Sequence, residues 1–88
     1  MAEVRWHPRA WATLEGLSES QARRISHTVR LLRTFPQIGV PVRYPGLTNQ
    51  RRLLAGGWAV VYSYDAARDL VSVLLLRPPR VGWSSDLG

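Results

Sequence analysis

Residues 50–77, with the sequence QRRLLAGGWAVVYSYDAARDLVSVLLLR, carry the clearest indication of the fold. Two turn signals, Gly56-Gly57 and a later DAARD segment, separate three apolar runs. Glycine adopts a positive φ at both turn positions without steric cost, so this pair indicates a β-hairpin. Residues 58–64 are rich in valine and aromatic side chains, which favour strands. The nearly unbroken apolar run 70–76 indicates a strand covered on both faces, so the stretch predicts a three-stranded antiparallel meander whose last strand is central.

A strand and two helices are predicted before the meander. Residues 3–6 suit a short strand, Pro8 suits the first position of a helix, and Gly16 suits its end. A capping box at 18–21 begins a second helix, which is expected to run to about Thr34. The side chains predicted to be buried include Trp11 of the first helix and Ala22, Ile25, Val29 and Leu32 of the second. The helices are expected to form an antiparallel pair on one sheet face, giving an α+β fold of order β-α-α-β-β-β with a mostly antiparallel sheet.

A loop and a proline pair flank the meander. Two glycines and two prolines within residues 37–49 predict an ordered surface loop, of a length that is often functional. Arg43 and Tyr44 lie on this loop. The prolines at 78–79 end the last strand, since proline cannot donate to the ladder. Arginines therefore occur at both ends of the meander, namely Arg51, Arg52, Arg77 and Arg80.

The composition predicts a single cytoplasmic domain with an affinity for anions. The 88 residues suffice for one domain, and no apolar run approaches the length of a membrane span. There is no cysteine, which excludes a disulfide framework and fits a reducing compartment. All 12 basic residues are arginines, the net charge is +6, and residues 20–64 contain no carboxylate. Such a charge attracts polyanions or an acidic protein partner, although arginine-rich codon usage is an alternative explanation.

Several classes of enzyme are disfavoured by the residues present. No His, Cys or carboxylate cluster has metal-ligand spacing, and no glycine-rich loop precedes a helix. No Ser-His-Asp arrangement can be argued from the two histidines. The six carboxylates lie near the chain ends or in the DAARD turn, which disfavours a paired-carboxylate site. We therefore expect neither a metal nor a cofactor.

What remains is a cationic set of residues with aromatic neighbours. The meander places its arginines either together or at opposite sheet edges, bridged by the loop and the tail. Strand alternation puts Arg51 and Arg52 on opposite faces, and it puts Tyr62 on the same face as Trp58 and Val60, in the core. RNA cleavage by its own 2′-hydroxyl needs a base, an acid and stabilisation of a dianionic phosphorane. Arginine forks can supply the last of these, and aromatic rings can stack on a splayed base.

Three segments resemble the RelE/ParE superfamily of bacterial type II toxins. VRWHPRAW resembles the first strand and helix start of that family, and RRLLAGGWAVVYSYD resembles its arginine-bearing strand, glycine turn and following strand. VSVLLLRPPRVGW resembles its last strand with a basic end and a C-terminal aromatic residue. The resemblance covers nearly the whole chain and implies a RelE-like fold.

The resemblance also implies a function, a partner and a site. The protein would be a toxin neutralised by a cognate antitoxin, and in the RelE branch it would be an endoribonuclease that cuts mRNA on the ribosome. The catalytic residues expected from this match are Arg51, Arg52, Arg77 and Arg80. The residues expected to bind RNA are Arg43, Tyr44 and Trp83, and the antitoxin is expected to present an acidic or amphipathic segment that is disordered alone.

The sequence departs from the RelE pattern at two positions, which leaves alternatives open. Ala59 stands where the family has an arginine on its middle strand, and Trp83 replaces a tyrosine that could exchange a proton. The ParE branch inhibits DNA gyrase by binding, without nuclease chemistry, and tolerates such losses more easily. An inert relic kept by its antitoxin is a third possibility.

Overall fold

A computed structural model describes residues 1–42 and 49–78. The elements in these ranges are β1 (Glu3–Trp6), α1 (Pro8–Glu15), α2 (Glu19–Leu31), β2 (Val40–Pro41), β3 (Gln50–Ala55), β4 (Trp58–Asp65) and β5 (Leu70–Arg77). They form a mixed sheet with the strand order β1-β5-β4-β3-β2. Within these described ranges, no helix is both long and apolar enough to cross a membrane.

The meander is confirmed, with β3, β4 and β5 pairing antiparallel in chain order. The strand β5 lies between β4 and β1, as its apolar sequence predicts, and its pairing with β1 is parallel. The turn from β3 to β4 uses Gly56 at φ 58° and Gly57 at φ 87°, so both residues adopt the positive values that the Gly-Gly pair predicts. In the turn from β4 to β5, Asp65 Oδ1 accepts from the amides of Ala67 (3.1 Å) and Arg68 (3.3 Å).

Both helices begin as predicted, but the second ends early. Ser18 Oγ accepts from the Gln21 amide at 3.3 Å, and the Ser18 hydroxyl also lies 3.2 Å from Gln21 Oε1. The Gln21 side chain therefore accepts from the Ser18 hydroxyl instead of from the Ser18 amide. Of the two bonds of the predicted capping box, only the one from the Gln21 amide to Ser18 Oγ forms. The helix α2 ends at Leu31, because the amides of 32–34 bond to carbonyls three residues back and tighten the last turn into a 3₁₀ form.

The helices cover one face of the sheet and bury the core there. Four residues of β3, β4 and β5 pack with Ala10 and Leu14 of α1 and with Ile25 and Val29 of α2. The strand residues in this cluster are Ala55, Val60, Val73 and Leu76. A second cluster comprises Ala2, Leu32, Tyr62 and Val71.

The prediction for Trp11 is wrong. Its side chain is 47% exposed, although it is three residues from the buried Leu14. The indole packs edge to face on Trp6 with ring centroids 5.7 Å apart. A spacing of three residues from a buried position therefore does not predict whether a residue at the margin of the apolar stripe is itself buried.

The prediction of an unbroken loop at 37–49 is also corrected. Val40–Pro41 forms a two-residue edge strand, β2, that pairs antiparallel with Arg52 and Arg51 of β3. Val42 extends the contact by donating its amide to the Gln50 carbonyl at 2.9 Å. Proline is compatible with this position because the outer side of an edge strand needs no donor.

Candidate functional site

Within residues 1–42 and 49–78, both helices lie on one face of the sheet, and we call the other face the open face. The arginines of the sheet are divided between the two faces. Successive residues of a strand point to opposite faces. Since Arg51 pairs with the buried Tyr62, it points to the helix side, whereas Arg52 pairs with Val61 and points to the open face. Arg77 pairs with Ala59 and also points to the open face.

On the helix-covered side, Arg51 fixes the segment that precedes β2. Its Nη1 donates to the carbonyls of Gly39 at 2.8 Å and Gln37 at 3.1 Å. The Gly39 amide in turn donates to Tyr62 Oη at 2.9 Å. These three bonds hold 37–39 against the sheet, so Arg51 has a structural role as well as any role in a site.

Tyr62 lies at the centre of this arrangement with its side chain fully buried. Burial raises the pKa of the Tyr62 phenol, while the hydrogen bond from Gly39 and the charge of Arg51 lower it in part. The phenol is therefore neutral at physiological pH and accepts the Gly39 hydrogen bond in that form.

We expect this raised pKa to make the fold sensitive to alkali. The folded state holds the Tyr62 proton more tightly than the unfolded chain, so the contribution is complete below about pH 10 and is lost as pH rises through the folded pKa. Tyr62→Phe should flatten this alkaline decline while costing about 1–3 kcal/mol at neutral pH, because the Gly39 amide loses its acceptor. Urea unfolding across this pH range measures both effects, and parallel alkaline declines for Tyr62→Phe and the parent would contradict the assignment.

Arg51 and Arg52 provide a matched pair for a test of stability. Arg51→Gln removes two charge-assisted bonds to backbone carbonyls and should lower the free energy of unfolding by about 1–2 kcal/mol. Arg52→Gln removes an exposed cation with the same change of net charge and should stay within about 0.5 kcal/mol of the parent. Equal losses in denaturant titrations of the two variants would show that the bonds of Arg51 do not hold the fold.

On the open face, Arg52 and Arg77 lie close together across β4. Their partners on β4, Val61 and Ala59, are two residues apart on the same face. Standard strand geometry puts the two arginine Cα atoms about 10 Å apart across the sheet and about 7 Å apart along it. Long side chains bridge that separation, so both guanidinium groups can reach one anion.

The floor around these two arginines is apolar. Val40 and Leu54 are 62% and 65% exposed, and Ala59 and Val61 lie in the neighbouring rows. Exposed apolar side chains next to two neighbouring cations are typical of surfaces that bind a protein partner or an unstacked base.

The acidic residues of this face lie at its other end. The Arg5 guanidinium pairs with Glu3, and Arg68 pairs with Asp65 at 3.7 Å. Asp65 is four residues along β4 from Val61, on the order of 13 Å away. In the described part of the chain, neither Arg52 nor Arg77 makes an ion pair, so both charges are available to a ligand.

The described part of the site can bind and stabilise negative charge. Two guanidinium groups at this separation can each bind a phosphate through two hydrogen bonds and can stabilise negative charge that develops on it. Within residues 1–42 and 49–78, no group of three or more His, Cys, Asp or Glu side chains could hold a metal ion.

The structure brings together only some of the residues predicted from sequence. Arg52 and Arg77 share the open face, whereas Arg51 lies behind the sheet. The other predicted residues, Arg43, Tyr44, Arg80 and Trp83, lie outside the described residues. Sequence reasoning missed the apolar floor of Val40 and Leu54, which strand alternation beside Arg52 could have indicated.

A family model described as the ParE toxin of the type II toxin-antitoxin system parDE matches residues 4–80. Comparison with curated proteins gave no match. Among solved structures, the chain is similar to the isolated E. coli RelE toxin, with 12% identity, a TM-score of 0.80, and coverage of 99% of this chain and 94% of that chain.

Two further structures share the fold. The RelBE2 toxin-antitoxin complex from Mycobacterium tuberculosis matches at 20% identity and a TM-score of 0.79, covering 88% of this chain and 96% of that chain. The chromosomal ParDE system from P. aeruginosa matches at 14% identity and a TM-score of 0.69, covering 91% and 98%. The predicted RelE-like α+β fold is thereby confirmed.

Proposed function

This chain belongs to the ParE toxin family of type II toxin-antitoxin systems, and we propose that it arrests growth by cutting mRNA on the ribosome. The observation that supports this proposal best is the pair Arg52 and Arg77, which share an exposed face and make no ion pair in the described residues. Such a pair suits the phosphate of an RNA strand.

The arginines contribute to cleavage through charge. Attack by a ribose 2′-hydroxyl builds a phosphorane with two negative charges, and a guanidinium fork binds that state more tightly than the starting diester. One preorganised donor of this kind is worth a factor of about 10²–10³ in rate. We assign Arg80 the same role and assign base or phosphate contacts to Arg43, Tyr44 and Trp83, as the sequence predicts. Arg51 bonds to the carbonyls of Gln37 and Gly39 and so holds the segment that leads into β2, the edge strand that pairs with Arg52.

A second function, inhibition of DNA gyrase by binding alone, is favoured by a specific observation. Ala59 lies between Leu54 and Arg77 on the open face, where the RelE pattern has an arginine. The resulting apolar floor suits a protein surface at least as well as a nucleotide. The description of the matching family model is also that of a ParE toxin.

Induced expression in a bacterial host distinguishes the two candidates. If the chain cuts messages, new mRNA 5′ ends should appear within coding regions soon after induction. Growth arrest without such ends would exclude the ribonuclease. Purified gyrase supercoiling relaxed plasmid tests the alternative, and unchanged supercoiling at a large molar excess of this chain would exclude it.

The proposal includes a cognate antitoxin. The M. tuberculosis relative was solved as a toxin-antitoxin complex, and the charge of +6 on this chain suits an acidic, amphipathic segment that orders on binding. Apolar anchors of that segment would cover Val40 and Leu54, the exposed residues beside Arg52.

We expect salt to slow the association of this antitoxin. Complementary charge accelerates encounter, whereas buried apolar anchors set the lifetime of the complex. Raising the ionic strength from about 50 to about 500 mM should therefore reduce the association rate and leave dissociation nearly unchanged. Stopped-flow or surface-binding kinetics measure both rates, and an association rate that stays constant across this range would show that the antitoxin does not recognise the arginines.

A further inference from the structure

Arg24 of α2 lies directly against the glycine turn between β3 and β4. A Cβ atom built on Gly56 would stand 2.6 Å from Arg24 Cδ and 3.3 Å from its Nη1. The aliphatic stem therefore occupies the space that any other residue at 56 would fill. The next turn residue, Gly57, also lacks a side chain.

This position is near the two arginines of the open face. Gly56 is two residues beyond Leu54, whose β4 partner Ala59 pairs with Arg77. Strand geometry puts Gly56 on the order of 12 Å from the Arg77 Cα and about 13 Å from the Arg52 Cα, at the same end of the sheet. Arg24 belongs to α2 on the helix-covered face, so the glycine turn lies between it and the two arginines of the open face.

The charge of Arg24 is available to a ligand, unlike that of its neighbour. Arg23 Nη2 bonds to Glu19 Oε1 at 2.9 Å, one helical turn away. Arg24 is exposed and makes no ion pair in the described residues. Beyond Glu19, which pairs with Arg23, α2 carries no carboxylate, so its sequence places no unpaired negative charge beside Arg24.

We propose that Arg24 is a further phosphate-binding residue, and that an RNA strand held at Arg52 and Arg77 continues around the glycine turn onto it. The inference rests on the proposed function for the identity of the ligand. A nucleic acid strand bears a charge at every nucleotide, so a backbone that passes the glycine turn can contact cations on both sides of it. Arginine forks suit such oxygens.

Binding of a short fluorescein-labelled single-stranded RNA to the purified chain tests this proposal. Arg24→Gln should lower the slope of log affinity against log salt by about 0.7, the value of one phosphate contact on a single strand. That loss corresponds to about a five-fold weaker affinity at 0.1 M salt. Arg24→Lys should retain most of the slope, because the charge is kept.

Arg68→Gln is the matched control. Arg68 is an exposed arginine in the turn at the opposite end of the sheet, and its replacement changes the net charge by the same amount. It should leave the slope unchanged, while Arg52→Gln should reduce it as Arg24→Gln does. Circular dichroism confirms that each exposed substitution leaves the fold intact.

Three outcomes would overturn the proposal. Equal slopes for Arg24→Gln and the parent, with a reduced slope for Arg52→Gln, would remove Arg24 from the path and leave the proposed function standing. No RNA binding by the parent would remove the phosphate contact, and the mapping of 5′ ends would decide the proposed function separately. Binding of oligoglutamate with the same dependence on Arg24 would show a surface for acidic protein and not for RNA.

Discussion

Replacing Arg52 and Arg77 together with glutamine should abolish growth inhibition while leaving the fold intact. Both side chains are exposed and make no ion pair in the described residues, so their loss costs little stability. In the proposed function each guanidinium opposes the charge that develops on a phosphate, so the rate of mRNA cleavage should fall by a factor of about 10³ or more. Growth curves after induction and cleavage assays with purified variant measure the two effects.

A control with the same change of charge isolates the position from the net charge. Arg9 on α1 and Arg68 in the last turn are both exposed, and replacing both with glutamine also lowers the net charge from +6 to +4. That control should remain toxic. Toxicity retained by the Arg52 and Arg77 double variant, or lost equally in the control, would refute the assignment of the open face.

Replacing Gly39 with alanine should destabilise the domain more than any exposed substitution. A Cβ at this residue would lie 2.7 Å from Tyr62 Oη and 2.9 Å from the Arg52 carbonyl oxygen. The carbonyl belongs to a paired strand and the ring is fully buried, so neither can move aside cheaply. Overpacking, together with the distortion it would impose on the hydrogen bonds of 37–39, should cost about 3–4 kcal/mol.

That loss is a large part of the 5–15 kcal/mol that stabilises a typical domain. Thermal and urea unfolding of the variant measure it. Gly16→Ala is the control, since its Cβ would meet nothing closer than the Thr13 carbonyl at 3.5 Å. It should change stability by no more than about 0.5 kcal/mol. A Gly39→Ala protein as stable as Gly16→Ala would show that 37–39 is not packed tightly against the sheet.

The meander and the helix starts could be predicted because their signals are local. Gly56 and Gly57 specify their turn through the φ values that only glycine adopts freely, and Ser18 specifies a helix start through one bond to a nearby amide. The central position of β5 follows from its apolar sequence. The RelE-like resemblance rests on the same segments, which is why the fold and the family were both predicted.

The rest depends on contacts between distant parts of the chain. Alternation separates Arg51 from Arg52, but the carbonyls that engage Arg51 belong to residues 12 and 14 positions away. The strand β2 is only two residues long, and it forms through its pairing with β3. Arg24 lies against Gly56 through tertiary packing, and helix periodicity alone gives no indication of that neighbour.

Cleavage of a defined message on purified ribosomes is the direct test of the proposed ribonuclease activity. One end-labelled mRNA, free or bound to ribosomes, is mixed with the purified chain, with the Arg52 and Arg77 double variant, or with neither. Cuts should appear in the message only when ribosomes and the parent chain are both present. An intact message in that mixture, with a parent chain that still arrests growth, would contradict the proposed ribonuclease activity.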